Sequence, residues 1–268
     1  MDSTMPVFID AIGLAAPGLP NWTEGQSILR HERAYQRVEM PRFAPNFLPP
    51  NERRRATRIG RLAFQAAEEA MGSTDIPADA LAAVFASSGG DTEVLDRICR
   101  ALDTPERSVS PTDFHNSVHN APAGYWSIAT RSRWSSTSLS AHDSSFAAGL
   151  LEAVSVVTQE RIPVLLVAYD IRPPSPLLHA RNLLDDFSLA LVLTPERRAC
   201  SRMTLRLGLD DDSVAETTLD DPALESLRLG NPAARALPLL TALAQAQPAR
   251  VHLPYFDDRL TVELDHVG

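Results

Sequence analysis

The sequence predicts an α/β fold in which helices cover a mostly parallel β-sheet. Short apolar runs, typical of buried strands, alternate with longer segments whose apolar residues recur at helical spacing. Such alternation is typical of βαβ units, whose strands are buried on both faces. Aromatic residues make up only 6% of the chain, which favours closely packed helices over an aromatic-cored β-sandwich.

Strands are predicted where short apolar or alternating runs are bounded by turn residues. The first is Val7-Phe8-Ile9, with Gly13 in the turn after it. The run 81–86 ends in Ser87-Ser88-Gly89-Gly90, which indicates a tight turn, because a nucleotide loop needs GxGxxG spacing. The other predicted strands cover residues 137–141, 164–168, 188–193, 203–207, 251–253 and 260–264.

Helices are predicted where apolar residues recur every three to four positions. The helix over 55–71 is followed by Gly72, a common C-terminal stop. The Pro-rich segment 41–50 and the polar segment 108–120 are predicted to be loops. The other predicted helices cover residues 23–35, 92–102, 122–130, 144–158 and 233–246.

The composition excludes several kinds of chemistry. All 25 basic residues are arginine, so the chain has neither a Schiff-base lysine nor a P-loop lysine. The net charge of −9 argues against a nucleic-acid binder. Cys99 and Cys200 have no metal-ligand spacing, so we expect no metal, no cofactor and no disulfide framework. The absence of a signal-like or membrane-length apolar segment favours a cytoplasmic protein with no membrane partner.

The segment 135–157 predicts a strand that leads into the N-terminus of a buried helix, with His142, Asp143 and Ser144 at the junction. Several enzyme classes hold a nucleophile at such a junction, because helix amides there favour negative charge. This junction has no cysteine and lacks the glycine spacing of a hydrolase elbow. Three contiguous residues also point in divergent directions and cannot form a catalytic relay. We therefore interpret Asp143 or Ser144 as a helix cap.

His115 and His119 are four residues apart and would share one face of a helix, as metal ligands often do. No glutamate lies between them in the HExxH pattern, so a metal site is the less favoured interpretation. We expect instead a hydrogen-bonded loop in which Asn116 and Asn120 hold backbone groups near a pocket.

Three segments resemble the N-terminal half of a β-ketoacyl synthase of the thiolase fold: SPTDFHNSVHNAPAGYWSIATRS, SSTSLSAHDSSFAAGLLEA and PVLLVAYD. The resemblance covers about residues 7–193. It implies a thiolase-like layered fold, with a mixed sheet and covering helices, over residues 1–195. Residues 196–268 would form a short α+β extension packed on the same core. The resemblance places His142 where the family has its active-site cysteine.

Without that cysteine the chain cannot form the acyl-enzyme thioester of a condensing enzyme. Family members that lack it are chain-length factors, which pair with an active ketosynthase and shape its acyl tunnel. The segment HNSVHNAPAGYWSIA resembles the short partner subunits of aryl polyene pathways. The resemblance thus implies a non-catalytic subunit of a 3-oxoacyl-[acyl-carrier-protein] synthase heterodimer in type II fatty-acid or polyketide-like biosynthesis.

Two surfaces follow from the resemblance. The strand near Trp134, Thr137 and Leu139 would pair across a dimer axis, which would cover its open edge. The concentrated basic run could dock an acyl carrier protein or could be a solvated helix face paired with glutamates, and both interpretations stay open. That run consists of Arg53, Arg54, Arg55, Arg58 and Arg61.

Two rival functions also remain open. One is a serine-dependent acyl hydrolase or acyltransferase that acts on thioesters, using Ser144 or Ser145 with His115 or His119. The other is a purely structural homodimer of a degenerate ketosynthase.

Overall fold

The computed structural model describes residues 6–267, which fold around one eight-stranded β-sheet. Residues 1–5 and 268, parts of the two predicted segments, lie outside the described residues. The strands are β1 Val7–Ala15, β2 Ala82–Ala86, β3 Ser136–Leu139, β4 Val164–Asp170, β5 Phe187–Thr194, β6 Met203–Asp210, β7 Ala249–Tyr255 and β8 Asp258–His266. The helices are α1 Trp22–Leu29, α2 Pro50–Arg55, α3 Arg58–Met71, α4 Thr92–Leu102, α5 Pro111–Asn116, α6 Ala121–Thr130, α7 Ser145–Glu160, α8 Leu177–Ala180, α9 Pro222–Leu229 and α10 Leu237–Gln245.

The sheet is mixed, with strand order β3-β2-β4-β5-β1-β6-β8-β7. Only β2 runs parallel to its neighbours, β3 and β4, and the other pairings are antiparallel. The prediction of a mostly parallel sheet is therefore wrong, whereas the mixed sheet implied by the resemblance is confirmed. The error has a physical cause: β4 and β5 are buried on both faces, and such strands read as continuous apolar runs whichever way they point.

Helices cover both faces of the sheet. Ala83 and Phe85 of β2 pack in a cluster with α3 and α6, whereas Val84 and Ala86 pack in a second cluster with α7. Alternate residues of one strand thus reach opposite helical layers. The strands β6, β8 and β7 extend the same sheet from β1, and α10 contributes to the α7 cluster.

Gly13 lies inside β1 and not in a turn, which corrects the prediction. A Cβ atom at Gly13 would lie 1.9 Å from the backbone oxygen of Ala66 in α3. The glycine therefore permits a close approach of the α3 backbone to the strand, which is a common reason for a glycine within a strand.

Other element boundaries also differ from the predictions. The first helix ends at Leu29, and His31 just beyond it adopts a positive φ of 60°. The predicted loop 108–120 contains α5, which Ser110 caps and Pro111 begins. The helix α9, which was not predicted, starts with the same device: the Asp221 side chain accepts from two amides of its first turn.

None of the helices in residues 6–267 combines the length and apolar content needed to cross a membrane.

Candidate functional site

The turn between β3 and α7 holds His142 in a left-handed backbone conformation, with φ of 52°. Such a conformation is uncommon for a residue other than glycine and gives the chain a sharp bend. The His142 side chain is 73% exposed, and its Nδ1 lies 3.5 Å from Asp143 Oδ1. The turn therefore displays this imidazole at the surface.

The Ser145 hydroxyl bridges two backbone groups of this turn. It donates to the carbonyl of His142 at 2.7 Å and accepts from the amide of Ala141 at 3.0 Å. The buried Ser144 hydroxyl accepts from the amide of Phe256 at 2.8 Å, which ties the turn to the β7–β8 connection. Both serines thus hold the backbone of the turn.

Neither Asp143 nor Ser144 caps α7, so the capping interpretation is wrong. The short 3-10 turn His142–Ser144 precedes the helix, and the backbone amides of Ser144 and Ser145 donate to the carbonyls of Ala141 and His142. Ser144 stands at the N-cap position of α7, but its hydroxyl does not accept from the amides of Phe146 or Ala147, which are the partners of a capping side chain. Asp143 instead pairs with Arg181 at 2.5 Å.

The contacts of the two serines do not support a hydrolase. Neither hydroxyl is bonded to the imidazole ring of a histidine within residues 6–267. His119 uses Nε2 to contact the carbonyl of Ser87 at 3.0 Å, and His115 lies edge-on to the ring of Tyr125 with centroids 6.1 Å apart. A nucleophile with its base requires a direct hydrogen bond between them.

The segment with the two histidines is held by Asn116, as expected, but it is partly helical. The buried Asn116 amide donates to the carbonyls of Thr112 and Arg55, at 3.0 and 3.3 Å, and accepts from the Tyr125 hydroxyl at 3.0 Å. Asn120 immediately precedes α6, and its side chain makes no capping bond there.

Because α5 ends at Asn116, His115 and His119 do not share a helix face. Within residues 6–267, no three His, Cys, Asp or Glu side chains are grouped so that they could hold a metal ion.

A buried polar cluster behind the turn centres on Asp170, which the sequence analysis missed. Asp170 ends β4, and its Oδ1 accepts from the Ser87 hydroxyl at 3.0 Å and from the amide and hydroxyl of Ser88 at 2.8 and 2.9 Å. Ser140 donates to the carbonyl of Ser88 at 3.0 Å. The cluster thus joins the carboxyl ends of the parallel strands β2, β3 and β4.

Burial raises the pKa of Asp170 to about 6. The hydrogen bonds from Ser88 and Ser87 and the charge of Arg181 oppose this shift. The sequence signal was available, because Ser87, Ser88 and Asp170 each stand at or just after the end of an apolar run. The missing information was that the strands β2 and β4 are neighbours in the sheet.

The basic run divides between α2 and α3 into two sets with different partners. In α3, Arg58 pairs with Glu93 at 2.7 Å and with Asp186 at 2.6 Å. Arg61 donates to the carbonyls of Ala56 and Arg53 at 3.0 and 3.1 Å. These two side chains are therefore engaged by groups outside their own helix.

In α2, Arg53 also bonds inward, to the carbonyl of Leu48 at 3.0 Å. Arg54 and Arg55 are exposed, and their partners are the side chains of Asn51 and Glu52 on the same helix. Only Arg54 and Arg55 thus remain as an outward-facing cationic pair of this run.

The strand β3 forms one edge of the sheet, and among the described residues it pairs only with β2. Trp134 before it is 49% exposed. Thr137 donates to Glu152 of α7 at 3.1 Å, and Leu139 packs against the core. Further exposed apolar residues precede β3 in α5, α6 and the connection between them: Phe114, Val118 and Ile128.

Several solved structures share this fold. A chain of the complex between the ketosynthase ApeO and its chain length factor ApeC from Xenorhabdus doucetiae is 21% identical, with a TM-score of 0.71 over 96% of this chain and 99% of that chain. The ishigamide ketosynthase/chain length factor is 14% identical, with a TM-score of 0.73 over 98% of this chain and 100% of that chain.

A third match is the AntDE:AntF structure, a type II acyl-carrier protein in complex with its ketosynthase. It is 12% identical, with a TM-score of 0.75 over 99% of this chain and 100% of that chain. These likenesses confirm the thiolase-like layered fold. A search of the curated proteins finds no match.

The family described as beta-ketoacyl synthase, N-terminal domain, matches residues 22–250. This match covers well over half of the chain and confirms the resemblance carried by the segments around His142. The chain belongs to the beta-ketoacyl synthase N-terminal domain family.

Proposed function

We propose that this chain is a chain-length-factor-like subunit that pairs with an active ketosynthase and does not itself catalyse condensation. The observation that carries the proposal is His142, which stands at the sharp β3–α7 turn where the resemblance places the family's cysteine. The two cysteines lie elsewhere, Cys99 on α4 and Cys200 after β5. Without a thiolate at the turn, no acyl group can be held there as a thioester.

The edge strand β3 supports a heterodimer. An exposed edge with apolar neighbours is a template for pairing with another chain. Pairing through β3 would continue the sheet into a ketosynthase and cover Trp134. The exposed His142 side chain, just beyond β3, would then face the partner and contribute to the wall of its acyl tunnel.

The solved relatives support a ketosynthase as the partner. One neighbour is a ketosynthase in complex with its chain length factor, and another contains an acyl-carrier protein with its ketosynthase. We extend both partnerships, with a ketosynthase and with an acyl-carrier protein, to this chain. Its ketosynthase partner would belong to a polyketide or fatty-acid-like pathway such as that of aryl polyenes. The outward-facing Arg54 and Arg55 are the docking candidates for an acidic carrier protein.

A proline at Ser138 tests the pairing. The carbonyls of Ser135 and Leu139 accept from β2, so the odd-numbered residues of β3 face β2 and Ser138 faces the free edge. Ser138→Pro removes an outward N–H group that a partner strand would use, while the ladder to β2 keeps its donors. We expect the variant to fold but to lose co-purification with a co-expressed ketosynthase encoded nearby.

The matched control is Arg250→Pro in β7, at the opposite edge of the sheet. The amide of His252 bonds to Thr217 outside the sheet, so Arg250, two residues earlier, also faces outward. This variant should co-purify as the wild type does. Co-purification of Ser138→Pro at the wild-type level would refute pairing through β3, and failure of the wild type with every such ketosynthase would refute the proposed function.

A further inference from the structure

A cavity of about 660 Å³ lies between residues 37–43, the first turns of α3 and the two ends of the β4–β5 connection. The connection contributes residue 172 at one end and residues 185–186 at the other. The size of the cavity is within the range of roughly 300–1,000 Å³ typical of small-molecule sites. Met40, Phe43 and Leu62 form an apolar wall. Five arginines share the lining: Arg37, Arg42, Arg58, Arg61 and Arg172.

Two of the five arginines are neutralised by the aspartates of the cavity. Arg37 holds Asp185 through Nε and Nη2, both at 2.7 Å. Arg58 holds Asp186 at 2.6 Å and Glu93 at 2.7 Å. The carboxylates of Asp185 and Asp186 are thus already engaged. The third acidic residue of the lining is Glu39, so the five arginines outnumber the carboxylates of the lining by two.

The other three, Arg42, Arg61 and Arg172, form no salt bridge with any residue in the range 6–267. Arg61 bonds only to backbone carbonyls, which carry no net charge. Burial and the neighbouring positive charge of Arg42 lower the pKa of Arg61. The like charges of Arg42 and Arg61 in one cavity favour an anion bound beside them.

We propose that this cavity binds a small organic phosphate, with Arg42, Arg61 and Arg172 on the phosphate and the apolar wall against its organic part. A phosphate monoester carries close to two negative charges at neutral pH and offers three acceptor oxygens, which suits several converging guanidinium groups. A carboxylate is satisfied by a single guanidinium fork. The site differs from Arg54 and Arg55, which face outward on α2.

The test is calorimetric titration of the full chain at low ionic strength with phenyl phosphate, benzoate and inorganic phosphate. We expect phenyl phosphate to bind one per chain, at least about tenfold more tightly than benzoate, because charge-assisted hydrogen bonds to the phosphate are lost with the carboxylate. Inorganic phosphate should bind more weakly than phenyl phosphate, because it leaves the apolar wall uncovered.

The variant Arg42→Gln with Arg172→Gln should weaken phenyl phosphate binding at least about tenfold. Both side chains are exposed, so the fold is retained. Arg61→Lys keeps the charge but removes the fork, and should weaken binding less. Arg107→Gln, at an exposed arginine outside the cavity lining, is the matched control and should leave binding unchanged.

Equal affinity for phenyl phosphate and benzoate, or an unchanged affinity in the double variant, would overturn the phosphate site. Absence of binding at millimolar phenyl phosphate would do the same. The proposed ketosynthase pairing is read out separately by co-purification, which these cavity variants leave intact.

Discussion

The carboxyl group of Asp170 costs the protein stability at neutral pH, because only one of its oxygens is hydrogen-bonded. Oδ1 accepts three bonds from Ser87 and Ser88, whereas the buried Oδ2 has no hydrogen-bond partner among residues 6–267. Burial penalises the ionised form and raises the pKa of this carboxyl to about 6. A neutral Asp170 is therefore the better fit to its site.

The sign of the pH dependence follows from this shift. Between the ordinary pKa near 4 and the folded value of about 6, the folded state binds more protons than the unfolded state. The contribution of Asp170 to the free energy of unfolding should therefore fall by about 2 kcal/mol as the pH rises from 4 to 6.5. Urea unfolding at a series of pH values measures this contribution as the difference in the free energy of unfolding between the wild type and Asp170→Asn.

The asparagine keeps an Oδ1 acceptor for the two serines and does not titrate. Parallel stability curves for the wild type and Asp170→Asn would contradict the prediction. Asp257→Asn, which removes an exposed carboxylate in the β7–β8 connection, is the control, and its stability should still fall relative to that of Asp170→Asn as the pH rises.

Residue-scale prediction from sequence succeeded where the signal was local. The position of His142 between a strand and a helix follows from the apolar runs on either side of it. The contacts of Ser144 with Phe256, and of Asp170 with Ser87, join residues 112 and 83 positions apart. Such pairs depend on strand order, which periodicity does not specify.

At the scale of elements, local capping residues predicted a helix boundary well, whereas no local signal predicted the direction of the strands. The helix α4 spans the predicted residues 92–102, because Asp91 caps it with a bond to the amide of Val94. The direction of β5 could not be read from its sequence, since a strand buried on both faces carries no alternation.

The packing of α3 on β1 is tested by adding one methyl group. Gly13→Ala would place Cβ 1.9 Å from the backbone oxygen of Ala66 and 3.0 Å from the amide nitrogen of Ala70. Because backbone atoms cannot move aside without displacing α3, we expect a loss of about 3 kcal/mol or more in the free energy of unfolding. Chemical denaturation measures this loss.

Gly124 in α6 offers the matched control. A Cβ there meets nothing within 4 Å, so Gly124→Ala should stabilise the chain by up to about 1 kcal/mol through helix propensity. Equal effects of the two substitutions would show that α3 does not approach β1 as closely as the structure indicates.

At the scale of the whole molecule, the sheet continues without interruption from β1 into β6, β8 and β7. One hydrophobic cluster contains Ile9 of β1, Leu150 of α7, Leu240 of α10 and Val262 of β8. Residues from both sides of position 195 thus contribute to this cluster. The cluster under α3 and α6 consists of residues within 1–195 alone, whereas the cluster that contains α7 draws on residues from both segments.

We expect a chain shortened to residues 1–195 to lose its cooperative unfolding transition. Its β1 would expose an unpaired edge toward the missing β6, and the side of α1 that contacts α10 would be open to water. Circular dichroism during urea titration, with gel filtration for aggregation, checks this against the full chain. A soluble monomer with a sharp transition would establish 1–195 as an autonomous domain.

The place of β1 in the sheet has a consequence for synthesis on the ribosome. Asp10 of β1 bonds to Thr194 of β5, 184 residues later. At a translation rate of about 5–20 residues per second, the nascent chain carries an unpaired apolar first strand for roughly ten seconds or more. Holdase chaperones that bind this strand as it emerges are then expected to control the yield of folded protein.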